Sequence, residues 1–504
     1  MRRERLLAEA AGASRIWDVL VIGGGATGLG TALDAASRGL SVVLLERFDF
    51  ASETSSRSTK LVHGGVRYLK QGRLGLVRAS LRERGILRQN APGLVRPLPF
   101  IIPVHSAWQK AFYGAGLKLY EGLAGSLGLG DTEVLSAEAA SRELPTLRKQ
   151  GLRGGVKYWD AQFNDALLAV SLARTLAAQG GLPLNYCEAT ALLVREGRVF
   201  GARARDSESG DAFEIQARVI VNAAGAWTDD LRRQAEPNAA PSVRISQGAH
   251  LVVGREFLPG PGALMVPQTE DGRVLFAIPW MDRCLIGTTD TPVDQARSHP
   301  MPLPAEVAFL RREAGRYLDQ PIGPENILSV FAGLRPLPSS DRARRTAGVS
   351  REHHIGVSPT GLISVTGGKW TTYRAMAEEI VDTALRIGGW PPRACGTAGL
   401  AIDVGAGERA GTGSPDDEPL HPRLPVTARQ VRAAADEDMA RTVEDVLARR
   451  TRCLFMDVAA ALEVAPRVAS LLAEALGRPL SWSEDQCRRF AQIAKNYQLV
   501  PADP

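Results

Sequence analysis

The sequence has few cysteines, and no two of them have the spacing of a redox or zinc motif. The five cysteines are scattered over 504 residues without a C-x-x-C or C-x-x-x-x-C pair, at Cys187, Cys284, Cys395, Cys453 and Cys487. This spacing argues against a disulfide scaffold, a zinc site and a disulfide reductase. We expect free thiols, as in a protein of the reducing cytosol.

Long apolar runs are also missing. No run in the sequence reaches the length of a transmembrane helix. The apolar stretch in the first fifteen residues is short and interrupted by Glu4 and Glu9, which is not the pattern of a signal peptide. We therefore expect a protein that does not span a membrane, although its surface can still lie on one.

The overall composition is that of a globular protein with a modest positive charge. Hydrophobic residues make up 44% of the chain, charged residues 23% and aromatic residues only 6%. The net charge of +6 suits an anionic substrate or an anionic membrane surface. No nucleic-acid-binding module and no basic stripe with interleaved aromatics is present, so we expect no nucleic-acid partner. The length predicts two or three domains.

The most informative segment spans residues 18–46. An apolar strand is followed by three glycines in G-x-G-x-x-G spacing at the start of a helix, Gly23, Gly25 and Gly28. A second apolar run then ends at Glu46, eighteen residues after Gly28. In a dinucleotide-binding βαβ unit the glycines form the turn and let the pyrophosphate approach the helix N-terminus, while the acid binds ribose hydroxyls. The segment predicts a dinucleotide-binding domain.

The rest of the chain predicts how that domain is interrupted. Only one such glycine fingerprint follows a strand, which favours FAD enclosed by one domain over an additional nicotinamide domain. Residues 250–290 contain short apolar runs separated by turn residues, as in an antiparallel sheet. The predicted segments are an FAD-binding domain in three parts (1–98, 151–240 and 341–400), a cap and possible membrane-docking segment (99–150), an antiparallel substrate domain (241–340) and a helical C-terminal domain (420–504).

The C-terminal domain is predicted from a change in composition and from a helix start signal. Residues 404–419 are rich in Gly, Ser, Pro and Asp, which is typical of a linker. Thr427 and Gln430 then fit a capping box, and helical patterning continues to the end of the chain.

Four short segments place cations or histidines beside glycine-rich turns, at residues 60–68, 247–250, 332–337 and 367–374. Arginine supplies planar bidentate donors and lysine a compact charge, so two arginines and a lysine in one pocket suit a phosphate dianion. Separation along the sequence does not show whether these segments meet.

Taken in order, these blocks resemble the signature segments of FAD-dependent, quinone-linked glycerol-3-phosphate dehydrogenases. The similarity covers residues 17–374, notably 54–69, 278–282, 286–290, 333–337 and 367–374, and is weaker at 445–452. It implies an α/β protein with a glutathione-reductase-like FAD-binding domain of Rossmann type, an inserted mainly antiparallel β domain and a small α-helical C-terminal domain. It also implies oxidation of sn-glycerol 3-phosphate to dihydroxyacetone phosphate by hydride transfer to FAD, with electrons passed to a membrane quinone.

The resemblance assigns roles to individual residues. The substrate-binding residues are Arg67, Tyr68, Arg335 and Lys369. The cofactor-binding residues are Gly23, Gly25, Gly28, Glu46, Ser55, Ser56, Lys60, Gly225, Gly367, Gly368 and Thr371.

Two residues are expected to act in catalysis. An imidazole titrates near neutral pH, which makes His250 the favoured general base. Arg335 is expected to stabilise the developing alkoxide. A base at His63 and a water-mediated base stay open, and the other reading of His63 is a residue that orders the FAD loop.

Residues 108–128 predict an amphipathic helix, with an apolar arc that includes Trp108, Phe112, Leu119 and Tyr120. Such an arc packs against a core or lies in a membrane interface; the resemblance favours peripheral contact with the inner face of the cytoplasmic membrane.

Two alternatives to the dehydrogenase function stay open. One is a glycerol-3-phosphate oxidase or amine oxidase that reduces oxygen, and the other is a non-catalytic flavin-binding scaffold. Three roles of the C-terminal helices also stay open: a homodimer contact, a partner interface, or a cover over the FAD domain.

Overall fold

The computed structural model describes residues 1–12, 15–339, 353–405 and 414–499. Its helices are α1 (Arg3–Ala11), α2 (Ala26–Ser37), α3 (Val66–Lys70), α4 (Leu74–Asn90), α5 (Ala107–Ala124), α6 (Ala137–Glu143), α7 (Asp165–Ala178), α8 (Thr228–Ala235), α9 (Pro304–Gly315), α10 (Tyr373–Gly388), α11 (Ala428–Asp436), α12 (Cys453–Met456), α13 (Val458–Leu476) and α14 (Leu480–Ala494). A π-helical segment covers Asp445–Arg450.

The first sheet is the dinucleotide-binding sheet. Its strands are β1 (Trp17–Ile22), β2 (Val42–Leu45), β7 (Leu182–Leu184), β8 (Cys187–Arg195), β9 (Arg198–Asp206), β10 (Ala212–Asn222), β17 (His354–Val357) and β18 (Ile363–Thr366). The order β17-β18-β10-β1-β2-β7 places β1 at the centre, parallel to both neighbours. Val19, Leu20 and Val21 are fully buried, as expected for a parallel strand covered on both faces.

The second sheet is mainly antiparallel. Its strands are β3 (Leu61–Val62), β4 (Val95–Val104), β5 (Glu133–Leu135), β6 (Gly154–Phe163), β11 (Val243–Gly254), β12 (Ala263–Val266), β13 (Leu275–Trp280), β14 (Arg283–Gly287), β15 (Thr291–Val293) and β16 (Ile327–Pro338). Strand β11 pairs with β14, β15 and β16, all antiparallel. The pairing of β4 with β12 is parallel. This sheet is the inserted β domain that the sequence predicts.

The strand pairing differs from the predicted segment boundaries. Strand β3 lies in the segment 1–98 but pairs with β6 in the second sheet. Strand β6 lies in the segment 151–240, and the first residues of β4 lie in 1–98, yet both strands belong to the second sheet. They pair from Val95 opposite Phe163 to Val104 opposite Gly154. Local periodicity does not reveal this pairing, because the partners are more than forty residues apart in sequence.

The C-terminal domain consists of helices α11–α14 and a hairpin formed by β19 (Pro419–His421) and β20 (Leu424–Thr427). The capping box predicted at Thr427 and Gln430 is present at the start of α11. Side chains of this domain share one apolar cluster with the second sheet, including Phe331 of β16 and Phe455 of α12. Residues 406–413 of the predicted linker lie outside the described residues.

Within the described ranges, no helix combines the length and the apolar character needed to cross a bilayer.

Candidate active site

A single large cavity brings the predicted cofactor and substrate segments together. Its volume is about 1020 Å³. The lining includes the glycine turn after β1, the loop at residues 51–59, and residues of strands β11 and β16. Two sheets whose strands alternate along the chain therefore form the walls of the same site.

The glycine turn at the start of α2 leaves no room for side chains. Gly23 has a φ of +115°, and a Cβ on it would lie 2.4 Å from the Ala223 carbonyl oxygen. A Cβ on Gly28 would lie 1.8 Å from the Gly23 carbonyl oxygen. Gly25 precedes the first turn of α2 and lines the cavity, as does Gly23. The turn thus exposes the N-terminus of a helix to the cavity, which suits a pyrophosphate.

Glu46 lies at the cavity wall next to this turn. Its carboxylate accepts hydrogen bonds from the backbone N–H groups of Gly24 at 2.7 Å and Phe48 at 2.9 Å. Burial raises the pKa of Glu46. The two hydrogen bonds orient the carboxylate, and its remaining lone pairs suit ribose hydroxyls.

Some residues of the segment 51–60 line the cavity, and others attach the segment to the protein interior. Ser55 lines the cavity, and its hydroxyl oxygen accepts a hydrogen bond from the Ala26 N–H at 3.0 Å. Ser56 and Lys60 are not among the lining residues. The Lys60 ammonium is fully buried and donates to the Ser56 carbonyl and to the Asp165 carboxylate, each at 2.7 Å. The structure places Ser56 and Lys60 behind the wall.

The glycines near the end of the dinucleotide sheet also reach the cavity. Gly225, Gly367 and Gly368 line it, together with Thr371. Gly367 and Gly368 have φ values of +75° and +90°, which favour glycine. The Thr371 hydroxyl accepts a hydrogen bond from the His63 backbone N–H at 3.2 Å. The backbone at His63 is thus anchored beside the cavity by a contact that does not involve the imidazole.

The three predicted phosphate-binding cations line the same cavity as these cofactor segments. The Lys369 ammonium lies 5.4 Å from the centroid of the Tyr68 ring and donates to the Ser80 hydroxyl at 2.7 Å. The Arg67 guanidinium lies 5.3 Å from the centroid of the same ring. Tyr68 is thus flanked by two cations.

Arg335 reaches the cavity from β16. Its guanidinium donates to the Thr288 hydroxyl at 3.1 Å and lies 3.7 Å from the Asp290 carboxylate. A Cβ on Gly248 would lie 2.1 Å from the Arg335 guanidinium, so glycine at this position of β11 makes space for the arginine. The single glycine in segment 247–250 is the signal for this role, but the sequence does not say which side chain fills the space.

His250 lies on β11 beside these residues and is nearly fully buried. Its ring stacks on Phe331 with centroids 4.7 Å apart, and its Nε2 atom lies 2.9 Å from the Thr59 hydroxyl oxygen. The Nδ1 atom is buried and has no hydrogen-bond partner among the described residues. Burial, then the charges of Lys60 and Arg335, lowers the pKa of His250 well below 6.5. The imidazole is therefore neutral near pH 7. Thr59 is a site residue that the sequence alone did not indicate.

The predicted amphipathic helix is α5. Its apolar arc is divided: Tyr120 is buried, whereas Trp108, Phe112 and Leu119 are 70%, 43% and 50% exposed. Leu117, outside the predicted arc, is also buried. The Tyr120 hydroxyl oxygen accepts a hydrogen bond from the Gly64 N–H at 2.7 Å, so the buried side of α5 packs beside the cavity-lining segment. Both sequence interpretations of this helix, core packing and an exposed apolar surface, describe part of it.

Known proteins are similar in sequence to this chain. A family model described as FAD dependent oxidoreductase matches residues 18–382, and one for the C-terminal domain of alpha-glycerophosphate oxidase matches residues 401–487. The mitochondrial glycerol-3-phosphate dehydrogenase of Mus musculus is 38% identical over 93% of this chain and 71% of its own. The mitochondrial enzyme of Arabidopsis thaliana is 37% identical over 97% of this chain and 87% of its own.

The chain belongs to the FAD-dependent glycerol-3-phosphate dehydrogenase family. The solved glycerol-3-phosphate dehydrogenase of Bacillus halodurans, complexed with FAD, has a TM-score of 0.77 to this structure at 29% identity and covers 99% of both chains. The predicted family and fold class are confirmed. Within this family member, the glycine turn, the Glu46 carboxylate and the α2 N-terminus fit FAD, because they offer the dinucleotide a close backbone approach, ribose acceptors and phosphate donors.

Proposed function

We propose that this protein oxidises sn-glycerol 3-phosphate to dihydroxyacetone phosphate, with FAD as the hydride acceptor. The observation that carries the proposal is that Arg67, Arg335 and Lys369 line the cavity that also contains the dinucleotide-binding turn. The named relatives from mouse and Arabidopsis support the same substrate. An amine substrate with a carboxylate needs about one bidentate arginine and would leave the other cations without a role.

We assign different groups of the substrate to different cations. We assign the phosphate to Lys369 and Arg67, which flank Tyr68. Arg335 is assigned to the phosphate and to the oxygen that becomes the carbonyl, where a guanidinium stabilises developing negative charge. When bound, FAD supplies the redox chemistry by accepting the hydride from C2 of the substrate.

The proton of the substrate hydroxyl is assigned to His250. His250 lines the cavity, and its Nε2 atom lies 2.9 Å from the Thr59 hydroxyl oxygen, which orients the ring. A neutral imidazole is the form that accepts a proton, and the lowered pKa keeps this form populated near neutral pH. The contact of His63 with Thr371 supports a loop-ordering role for that segment instead.

We propose a membrane quinone as the electron acceptor and the inner face of the cytoplasmic membrane as the location. Exposed apolar residues on α5, namely Trp108, Phe112 and Leu119, support this proposal. The neighbouring helix α4 exposes Arg78, Arg82 and Arg88 to solvent. Apolar side chains near basic ones suit the interface of an anionic bilayer.

A second candidate is a glycerol-3-phosphate oxidase, favoured by the match of residues 401–487 to the C-terminal domain of alpha-glycerophosphate oxidase. Product analysis separates the two. The dehydrogenase forms dihydroxyacetone phosphate under nitrogen when a soluble quinone analogue is supplied, and little hydrogen peroxide in air. Stoichiometric hydrogen peroxide in air would favour the oxidase, and no dihydroxyacetone phosphate with either acceptor would contradict both.

A further inference from the structure

The C-terminal domain inserts four buried side chains against the segment that lines the cofactor end of the cavity. We define the cofactor loop as residues 49–60. The side chains that contact it are Arg449, Arg450, Arg452 and Tyr497.

Arg452 makes the deepest of these contacts. It is fully buried, and its guanidinium donates to the Ser56 carbonyl and to the Ala448 carbonyl, each at 2.7 Å. The guanidinium also lies 3.5 Å from the Asp165 carboxylate, which binds Lys60 from the other side. One arginine of the C-terminal domain thus contacts both the backbone of the cofactor loop and the carboxylate that anchors the loop's last residue.

Tyr497 contacts the same loop through a side chain. Its hydroxyl oxygen accepts a hydrogen bond from the Arg57 guanidinium at 3.2 Å, and both residues are buried. The ring packs edge-on against Phe455 with centroids 5.1 Å apart. Arg57 also donates to Glu53 at 3.0 Å, and both of these loop residues line the cavity.

The start of the loop is held by a buried ion cluster. Arg449 and Arg450 each donate to the Asp49 carboxylate at 2.6 Å. Burial opposes ionisation of this carboxyl, but the two arginines outweigh burial and lower the pKa of Asp49 to about 2. Asp49 is therefore ionised at neutral pH and holds both cations.

A domain that only covered its neighbour could do so with apolar side chains. Burying charged arginines instead costs free energy, because each charge loses its hydration. We infer that the C-terminal domain forms part of the FAD site, with Arg452 and Tyr497 as positioning residues that hold the cofactor loop in its binding conformation. Neither residue lines the large cavity, so both act through the loop residues that do. The inference rests on FAD as the cofactor in the proposed function and is independent of the substrate.

Binding of FAD to the full-length protein, after the flavin has been removed, tests the inference without any substrate. Tyr497→Phe keeps the ring and removes the hydroxyl that binds Arg57, and Arg452→Gln removes the charge and the fork of donors. We expect the FAD dissociation constant, followed by flavin fluorescence, to rise about three- to tenfold in Tyr497→Phe and about tenfold or more in Arg452→Gln. The increase in melting temperature on addition of FAD should shrink accordingly.

Arg423→Gln is the matched control. Arg423 binds Asp457 and Glu463 within the C-terminal domain, each at 2.9 Å, and does not contact the cofactor loop. This variant should bind FAD like the wild type even where it melts earlier. Unchanged FAD affinity in Tyr497→Phe would overturn the inference, and this variant stays informative if Arg452→Gln fails to fold. An equal loss of affinity in Arg423→Gln would also overturn it, because the effect would then be one of general stability.

Discussion

The Thr59 hydroxyl oxygen and the Nε2 atom of His250 lie 2.9 Å apart, and this contact joins the cofactor loop to the antiparallel sheet. It orients the imidazole that we assign as the proton acceptor. The same ring stacks on Phe331, so its plane is held from one face as well as from one edge. Loop and sheet therefore position the base together.

The pH dependence of anaerobic flavin reduction follows from the lowered pKa of His250. Protonation inactivates a base, so the rate of reduction should fall as pH decreases through that pKa. Because the pKa lies well below 6.5, the contribution of His250 to the wild-type rate should change little between pH 7 and pH 6.5 and decline only at pH values well below 6.5. His250→Asn should retain FAD, and its flavin should be reduced roughly 10²–10⁴-fold more slowly. The decrease in rate caused by protonation of His250 at acid pH should be absent in this variant.

Stopped-flow reduction of the two proteins across pH measures this difference. The substrate phosphate titrates near pH 6 in both, so only the difference between the profiles reports the histidine. His354→Asn on β17, where the side chain is exposed, is the control and should match the wild type. A His250→Asn rate equal to that of the wild type would exclude His250 as the base and return His63 and a water-mediated base to consideration.

Lys369→Ala should weaken recognition of the substrate phosphate. Its ammonium lies beside Tyr68 in the cavity, and a charge-assisted contact to a phosphate is lost on truncation. We expect KM for glycerol 3-phosphate to rise about ten- to hundredfold with a nearly unchanged flavin content.

Steady-state kinetics and the flavin absorbance of the purified variant check both quantities. Lys118→Ala removes an exposed lysine that pairs with Glu121 on α5, and its KM should stay at the wild-type value. An unchanged KM in Lys369→Ala would remove this residue from the phosphate site.

Gly248→Ala should displace Arg335 without altering the cofactor turn. A Cβ at this position would lie 2.1 Å from the guanidinium, so the arginine must move. Displacement of a substrate-positioning group by about an ångström costs roughly ten- to hundredfold in kcat/KM. Gly75→Ala on α4, where a Cβ meets no atom within 4 Å, is the matched control. Wild-type kcat/KM in Gly248→Ala would show that the position of Arg335 is unimportant.

The exposed apolar residues of α5 should decide membrane binding. The combined substitutions Trp108→Ser, Phe112→Ser and Leu119→Ser remove apolar area and should reduce sedimentation with phosphatidylglycerol vesicles about tenfold or more. Val194→Ser with Leu480→Ser changes exposed apolar residues elsewhere and should leave sedimentation unchanged. Equal vesicle binding by the triple variant and the wild type would contradict the assignment of α5 to the membrane.

The sequence was sufficient for features that depend on local patterns. The β1–α2–β2 unit is a continuous segment whose glycines and apolar runs have fixed spacing, and the capping box at Thr427 depends on residues three apart. The antiparallel character of residues 250–290 was likewise predicted from alternating short runs. These features depend on residues close together in sequence, so they can be predicted without knowledge of the fold.

Long-range contacts were not accessible in the same way. The pairing of β4 with β6 and the burial of Lys60 against Asp165 both join residues far apart in sequence. The family resemblance assigns Lys60 to the cofactor, but in the structure its ammonium pairs with the Asp165 carboxylate at the start of α7. The same holds for the cavity cations: only the folded chain shows that Arg67, Arg335 and Lys369 line one cavity.

The most direct test of the central claim is anaerobic reduction of the bound flavin. Purified, FAD-loaded protein is mixed with sn-glycerol 3-phosphate, and the visible flavin absorption is followed. We predict rapid bleaching with glycerol 3-phosphate and none with glycerol or glycine, because the phosphate-binding cations are needed for productive binding. A flavin that stays oxidised with glycerol 3-phosphate, or that is bleached equally by glycine, would contradict the proposed substrate.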